Sequence, residues 1–190
     1  MDPMAHDITE ITERKFSILF DWFDHTDDDW LTRADFEQMA DVFTAVARPD
    51  DHENRGAMRE AFMAWWDVLR DIGAVDAQER VGRREFIEAM RTGVTEPKNF
   101  ERLILGIVDA LMRALDTDGS GELSGDEYVR MYQALGIPPE TSSAAFRRLD
   151  RNGSGSISHD EFRTAIEEFY LGTDPEAPGN WLLGNPLSEG

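Results

Sequence analysis

The sequence predicts an all-α protein of four helix–loop–helix units in two lobes. Apolar residues recur at three- and four-residue steps, as in the runs Phe16–Phe23 and Leu103–Leu115, and this spacing is typical of amphipathic helices. No long alternation of apolar and polar residues marks a half-buried strand. The chain has 190 residues, of which 41% are hydrophobic, so it is large enough to bury a core in one domain or two small lobes.

Eight helices follow in order from this periodicity and from the residues that interrupt it. Polar connectors containing glycine or proline separate them at residues 47–55, 92–98 and 136–143. The pair Pro138 and Pro139 can start the seventh helix, because proline is tolerated in a first turn. The helices are expected at about residues 7–23, 33–47, 55–72, 83–91, 98–115, 125–135, 140–149 and 159–171.

The connector at residues 92–98 divides the helices into two sets of four. We therefore expect an N-terminal lobe at residues 1–95, a C-terminal lobe at residues 96–171 and a tail at residues 172–190. Glycines and prolines at the start of the tail prevent the last helix from continuing. The apolar cluster around Trp181 nevertheless favours burial, so the tail is predicted to be non-helical and to pack back on the body with Trp181 buried.

The charge balance excludes several classes of function. The chain has 19 basic and 39 acidic residues, a net charge of −20, which repels nucleic acids and anionic lipid surfaces and attracts cations. Cysteine is absent, so disulfides, thiolate metal sites and cysteine nucleophiles are excluded. Neither a secretory leader nor an apolar stretch of membrane-spanning length is evident, and we expect a cytoplasmic protein without nucleic-acid or membrane partners.

Two twelve-residue segments carry the oxygen ligands that Ca²⁺ prefers. Loop 3 is residues 116–127 and loop 4 is residues 150–161. Each has oxygen-bearing side chains at positions 1, 3 and 5, glycine at 6, an aliphatic residue at 8 and glutamate at 12, with a backbone carbonyl available at 7. Such units are EF-hands, and their position-8 residues are expected to pair in short β contacts between loops. The predicted ligands are Asp116, Asp118, Ser120, Glu122 and Glu127 in loop 3, and Asp150, Asn152, Ser154, Ser156 and Glu161 in loop 4.

Loop 1, residues 24–35, departs from this pattern at two positions. Asp29 replaces the glycine at position 6, and aspartate tolerates left-handed backbone better than most residues. Asp35 replaces the glutamate at position 12, and its shorter side chain is expected to bind an ion through one carboxylate oxygen rather than two. We therefore expect Mg²⁺ to compete with Ca²⁺ most strongly in this loop. The predicted ligands are Asp24, Thr26, Asp28, the Trp30 carbonyl and Asp35.

Loop 2, residues 74–85, is a degenerate hand. Ala74 and Gln78 stand where positions 1 and 5 require strong oxygen ligands. Three arginines lie within the loop and oppose a cation by their charge: Arg80, Arg83 and Arg84. We predict that it keeps the fold and its β contact but binds no metal, which leaves about three Ca²⁺ sites in the chain.

This arrangement of competent first, third and fourth hands resembles the sarcoplasmic calcium-binding protein family over essentially the whole chain. The segment Asp174–Trp181 and the aspartate that ends loop 1 look most like the prokaryotic, calerythrin-like members. The resemblance implies two compact lobes that buffer or transport Ca²⁺, and it implies no enzymatic activity. We expect a monomer whose partners are calcium ions.

Two other functions stay open at this point. A Ca²⁺ sensor would open a flexible, Met-rich groove and bind a target protein, but the 8 methionines are scattered and the 11 Phe and 5 Trp favour a stiff interior. The coelenterazine-dependent photoproteins and luciferin-binding proteins share the pattern of competent hands. In those photoproteins a His and a Trp-Tyr pair near the last helix contact the ligand, whereas here Tyr170 has neither beside it. A luciferin-type binding protein would also require an apolar cavity between the lobes.

Overall fold

The computed structural model describes residues 3–183 and confirms the predicted helical fold with its paired loops. The α-helices are α1 Pro3–Phe23, α2 Arg33–Ala45, α3 His52–Asp71, α4 Arg83–Ala89, α5 Pro97–Asn99, α6 Gly106–Leu115, α7 Gly125–Ala134, α8 Pro139–Leu149 and α9 His159–Leu171. The strands are β1 Trp30–Thr32, β2 Arg80–Gly82, β3 Glu122–Ser124 and β4 Ser156–Ser158. A π-helical stretch, Met90–Val94, continues α4, and another, Phe100–Leu105, joins α5 to α6, so the predicted fifth helix is one run of mixed geometry.

Two short antiparallel ladders join the loops in pairs. Strand β1 pairs with β2, and β3 pairs with β4. Leu31 lies opposite Val81, and Leu123 lies opposite Ile157, so the position-8 residues meet as predicted. All four side chains are fully buried. Each ladder therefore fixes the distance between two neighbouring loops and anchors both in apolar core.

The chain divides into two compact units, which we name the internal unit, Phe16–Ala114, and the terminal unit, Met1–Lys15 with Leu115–Gly190. Contacts between α3 and the π-helical stretch Phe100–Leu105 keep the latter in the internal unit. The lobe boundaries expected from the sequence stay a prediction. The last seven residues of the predicted tail lie outside the described residues.

Aromatic residues from α1, α2 and α3 form the core of the internal unit. The Phe23 ring lies 4.6 Å from Phe36 and 5.2 Å from Trp65, measured between centroids. Phe20 and Phe86 meet edge to face at 5.6 Å, which ties α1 to α4. Aromatic pairs at such separations add to the free energy of burial. This core holds the helices that flank loops 1 and 2.

Helices α7, α8 and α9 surround a second aromatic core in the terminal unit. The rings of Tyr128 and Tyr132 stack with centroids 4.5 Å apart, and Phe146 meets Tyr128 at 5.6 Å. Phe162 and Phe169 of α9 are also buried. Burial raises the pKa of Tyr128 far above that of a free phenol. The core therefore stays uncharged while it supports loops 3 and 4.

The chain after α9 folds against α8 and α9 through a 3₁₀ turn, Pro178–Trp181. A Cβ on Gly179 would lie 2.3 Å from the Ala165 carbonyl oxygen, so only glycine permits this approach. Asn180 and Leu182 are buried. Trp181, which the sequence predicts to be buried, is partly exposed; the Arg148 guanidinium lies over its ring at 3.9 Å, a cation–π contact that a ring near the surface can make.

Lys15 of α1 is only 1% exposed and caps the C-terminal end of α9. Its Nζ donates to the carbonyl oxygens of Glu168, at 3.0 Å, and Gly172, at 2.9 Å. Burial lowers the pKa of Lys15 to about 8, although Glu168 and Asp174 nearby act in the opposite direction.

Within the described residues, no helix is both long and apolar enough to cross a bilayer.

Replacing Lys15 by methionine is expected to flatten the pH dependence of stability above pH 8. The folded protein releases the Lys15 proton near pH 8, whereas the unfolded chain keeps it until about pH 10.4. The unfolded state then binds more protons, so the wild-type free energy of unfolding rises with pH in this window. Solvent screening reduces the effect. As the pH rises above 8, we therefore expect the free energy of unfolding to increase by about 1 kcal/mol more in wild type than in K15M.

Urea unfolding of the Ca²⁺-saturated proteins at pH 8, 9 and 10 measures this difference. The matched control is K98M, which removes an exposed lysine. Parallel pH profiles for wild type and K15M would contradict the prediction.

Candidate metal centres

All four loops adopt the same backbone conformation at position 6. The residues there have φ of +62° at Asp29, +59° at Glu79, +79° at Gly121 and +88° at Gly155. Glycine adopts this left-handed region freely, whereas aspartate and glutamate do so with some strain. The loop shape is therefore kept even in the two hands that lack glycine at this position.

Loop 3 brings its carboxylates closest together. One oxygen each from Asp116, Asp118 and Glu127 lies within 4.8 Å of the others, and no other such set of three acidic or histidine side chains occurs in the described part of the chain. The Ser120 hydroxyl lies 3.0 Å from the Glu122 carbonyl oxygen. Hydrogen bonds from Ser120 lower the pKa of Asp118, so this carboxylate stays charged. The donors are all hard oxygens, which is the set that suits Ca²⁺.

Glu127 is held in place by both neighbouring segments of its loop. Its Oε1 accepts from the Thr117 N–H, at 3.1 Å, and hydroxyl, at 2.8 Å, and its Oε2 accepts from the Ser124 N–H and hydroxyl, both at 3.0 Å. The side chain is only 6% exposed. Burial opposes its ionisation, but the hydrogen bonds from Ser124 and Thr117 prevail and lower the pKa of the carboxyl. A charged, oriented carboxylate is therefore in place at position 12.

Loop 4 repeats this geometry with fewer charges. Asp150 accepts from the N–H groups of Ser154, at 3.0 Å, and Gly155, at 2.9 Å. Asn152 Oδ1 also accepts from the Ser154 N–H, at 2.8 Å. Glu161 accepts from the Ser158 N–H and hydroxyl. Loop 4 has two carboxylates against three in loop 3, so we expect it to attract a cation less strongly.

Loop 1 holds its acidic residues in the same order but gathers them less closely. Asp24 accepts from the N–H groups of Asp28, at 3.3 Å, and Asp29, at 2.9 Å. Asp35 is buried, and its Oδ2 is held by the Thr32 N–H, at 2.7 Å, and hydroxyl, at 2.8 Å. The shorter aspartate therefore stays near its own helix start, and the three carboxylates do not form a set as close as that of loop 3.

Replacing Asp35 by glutamate is expected to raise the Ca²⁺ affinity of loop 1 roughly tenfold and to weaken Mg²⁺ competition, because a second carboxylate oxygen reaches the ion. Calorimetric titration with and without millimolar Mg²⁺ measures both effects. Exposed Glu37 provides the control substitution E37D, which should leave both affinities unchanged. An unchanged ratio of Ca²⁺ to Mg²⁺ affinity in D35E would contradict this account of position 12.

In loop 2 an arginine binds the acidic side chain that a metal would need. Arg80 Nε lies 3.0 Å from Asp76 Oδ2, and the Arg80 N–H lies 3.1 Å from Asp76 Oδ1. Arg84 pairs with Glu85, the position-12 residue, at 2.9 Å. Arg80 also lies over the Trp30 ring at 3.8 Å. These contacts accord with the prediction that the second hand binds no metal.

Some residues that orient the sites did not stand out in the sequence. The residue at position 9 caps the N-terminus of the helix that follows the loop in three hands: Thr32, Ser124 and Ser158. In each hand its N–H and hydroxyl donate hydrogen bonds to the position-12 carboxylate. A capping-box pattern, with Ser or Thr three residues before an acidic residue, was the signal in the sequence that identifies this role. The ligand assignments themselves stay predictions.

The fold and these loops define a calcium-binding protein of the EF-hand class. The family model of the EF hand matches residues 143–166, and that of the EF-hand domain pair matches residues 105–135. The chain is 33% identical to a sarcoplasmic calcium-binding protein of Perinereis vancaurica tetradentata over 94% of this chain and 99% of that protein. It belongs to the sarcoplasmic calcium-binding protein family, as the resemblance in the sequence predicted.

A prokaryotic relative and one solved structure agree with this assignment, and a second solved structure shows the same fold. Calerythrin of Saccharopolyspora erythraea is 26% identical over 86% of this chain and 94% of that protein. A Streptomyces coelicolor calcium-binding protein, solved as the structural basis for prokaryotic calcium-mediated regulation, is 26% identical with a TM-score of 0.66, covering 86% of this chain and 99% of that chain. The calcium-loaded apo form of the coelenterazine-binding protein from Renilla muelleri shares the fold, with 23% identity, a TM-score of 0.62 and coverage of 97% and 99% of the two chains.

Proposed function

We propose that this protein is an intracellular Ca²⁺ buffer or transport protein with three metal sites, in loops 1, 3 and 4. The observation that carries the proposal is the preformed oxygen cluster of loop 3, where Asp116, Asp118 and Glu127 converge. Loop 4 has the same hydrogen-bonded shape, and loop 1 has the same ligand order with a shorter residue at position 12. The net charge of −20 raises the local concentration of cations around all three.

The distribution of apolar side chains supports a buffer over a sensor. Among the described residues, the exposed large apolar side chains are Ile72, at 45%, and Leu171, at 48%. A sensor acts by presenting an apolar groove to a target helix. The methionines that such a groove would need, including Met39, Met58 and Met131, are buried in the two cores. A closed apolar surface suits a protein whose role is to hold ions.

A Ca²⁺-dependent regulator is the second candidate, because the Streptomyces coelicolor relative is described in those terms. Calorimetric Ca²⁺ titration at millimolar Mg²⁺, repeated with a dye that fluoresces on apolar surfaces, separates the two functions. Binding of about three ions with a flat or falling dye signal supports the buffer. A rise in dye fluorescence as the sites fill would favour the regulator and would overturn the proposal that the protein is a buffer.

The matched variant for this titration is E85Q, which changes the position-12 residue of the second hand. It is expected to leave the number of bound ions unchanged, because Arg84 already pairs with Glu85 and Arg80 with Asp76. Loss of one ion in E85Q would show that the second hand binds metal and would overturn the assignment of three sites to loops 1, 3 and 4.

A further inference from the structure

Loop 1 has an acidic residue where the turn calls for glycine. Asp29 adopts φ +62°, and its N–H donates to Asp24 Oδ2 at 2.9 Å. Asp24 is the position-1 ligand of the proposed site. A non-glycine residue in this region persists only when its surroundings hold it there.

The contact comes from the second hand. Arg83, at the start of α4, places Nη2 2.8 Å from Asp29 Oδ1. Its Nη1 lies 2.7 Å from Asp21 Oδ1, and it donates to the Ser17 carbonyl, at 3.2 Å, and hydroxyl, at 2.9 Å. The guanidinium also lies over the Phe20 ring, 4.5 Å from its centroid. One side chain thus joins the last turns of α1 to the turn of loop 1.

We propose that Arg83 of the degenerate second hand is a positioning residue for the Ca²⁺ site of loop 1, which it preorganises through Asp29. The inference rests on the proposed function, in which loop 1 binds an ion. The planar guanidinium fork holds Asp21 and Asp29 at once, a geometry that the single ammonium of lysine does not reproduce. The second hand, which lacks a site of its own, then serves the site of its neighbour.

The sign of the effect separates positioning from simple charge. A cation near a Ca²⁺ site weakens binding by repulsion, so removal of charge alone would tighten it. Removal of a positioning contact weakens binding, because the ion must then order the turn itself. We expect R83Q to weaken binding at loop 1 about fivefold and R83K to weaken it by a smaller factor. Tighter binding in R83Q would overturn the proposal.

The affinity of loop 1 can be measured separately with Tb³⁺. Trp30 occupies position 7 of this loop, whereas loops 3 and 4 have Glu122 and Ser156 there, so Tb³⁺ luminescence excited through tryptophan reports mainly on loop 1. W30F gives the background from the other tryptophans. R84Q is the matched control, since Arg84 is 92% exposed and its ion pair within the described residues is with Glu85. An equal loss of affinity in R84Q and R83Q would overturn the role of Arg83.

A double-mutant cycle tests whether Arg83 acts through Asp29. In D29G the turn has its preferred residue, so adding R83Q is expected to change the loop 1 affinity less than twofold. The same fivefold loss in both backgrounds would overturn the assigned route. Far-UV circular dichroism and unchanged binding at loops 3 and 4 show that each variant is folded.

A measurement on the metal-free protein keeps this inference distinct from the proposed function. The Asp29 N–H, which donates to Asp24, is expected to exchange with solvent about tenfold faster in R83Q than in wild type or R84Q. An unchanged exchange rate would overturn the role of Arg83 but would not contradict the proposal of three metal sites. A wild-type protein with no ion in loop 1 would instead overturn the proposed three-site function.

Discussion

Replacement of Glu127 by glutamine is expected to weaken Ca²⁺ binding at loop 3 by at least about 100-fold, or about 2.7 kcal/mol, while loops 1 and 4 still bind. Glutamine removes one of three carboxylates and leaves a single carbonyl oxygen to face the ion. It also disturbs the orientation of the side chain, because both Glu127 oxygens accept hydrogen bonds from Thr117 and Ser124, and an amide accepts at only one end.

Calorimetric titration measures this change as the loss of the ion that is expected to bind at loop 3. The control is E122Q, which removes the same charge from the same loop at a residue that is predicted to bind through its backbone carbonyl. Its effect should be several-fold smaller than that of E127Q. Equal losses in the two variants would show that charge around the loop, and not the position-12 ligand, determines affinity. Unchanged stoichiometry and affinity in E127Q would refute the assignment of Glu127 as a Ca²⁺ ligand of loop 3.

Removal of Ca²⁺ by a chelator is expected to lower the free energy of unfolding by about 8 kcal/mol, or about 2.7 kcal/mol for each of three sites held at 100 times its Kd. An ion that binds only the folded state stabilises it by mass action. Without ions, the carboxylates of loops 1 and 3 repel one another. Three divalent ions bring the net charge from −20 to −14, which also relieves repulsion across the chain.

Urea unfolding in excess chelator and at saturating Ca²⁺ gives this difference directly. The variant E127Q serves as the internal control, because its chelator effect should be smaller than that of wild type by about one site's share, about 2.7 kcal/mol. Equal stability of the wild-type protein in chelator and in Ca²⁺ would mean that binding is not linked to folding.

Features that depend on short-range spacing were predictable from the sequence. The twelve-residue spacing of loops 3 and 4 places oxygens around one point through local backbone geometry, so Asp116, Glu127 and their counterparts could be predicted as ligands without a structure. The β pairing of Leu31 with Val81 followed from position 8 of each loop. The helices followed from apolar periodicity, because each must bury one face.

Contacts between distant residues required the tertiary structure. Arg83 and Asp29 are 54 residues apart, and Lys15 and Gly172 are 157 apart, so no local pattern links them. Trp181 looked like a core residue, yet it lies partly exposed against Arg148.

The sequence by itself determined the helices, the positions of the loops and the family, because these depend on the order of residues within one turn or one loop. The tertiary structure decided which charged side chain meets which, how the turn of loop 1 is held, and where the tail packs. Those outcomes depend on packing between elements, since long charged side chains take whichever partner the folded surface presents.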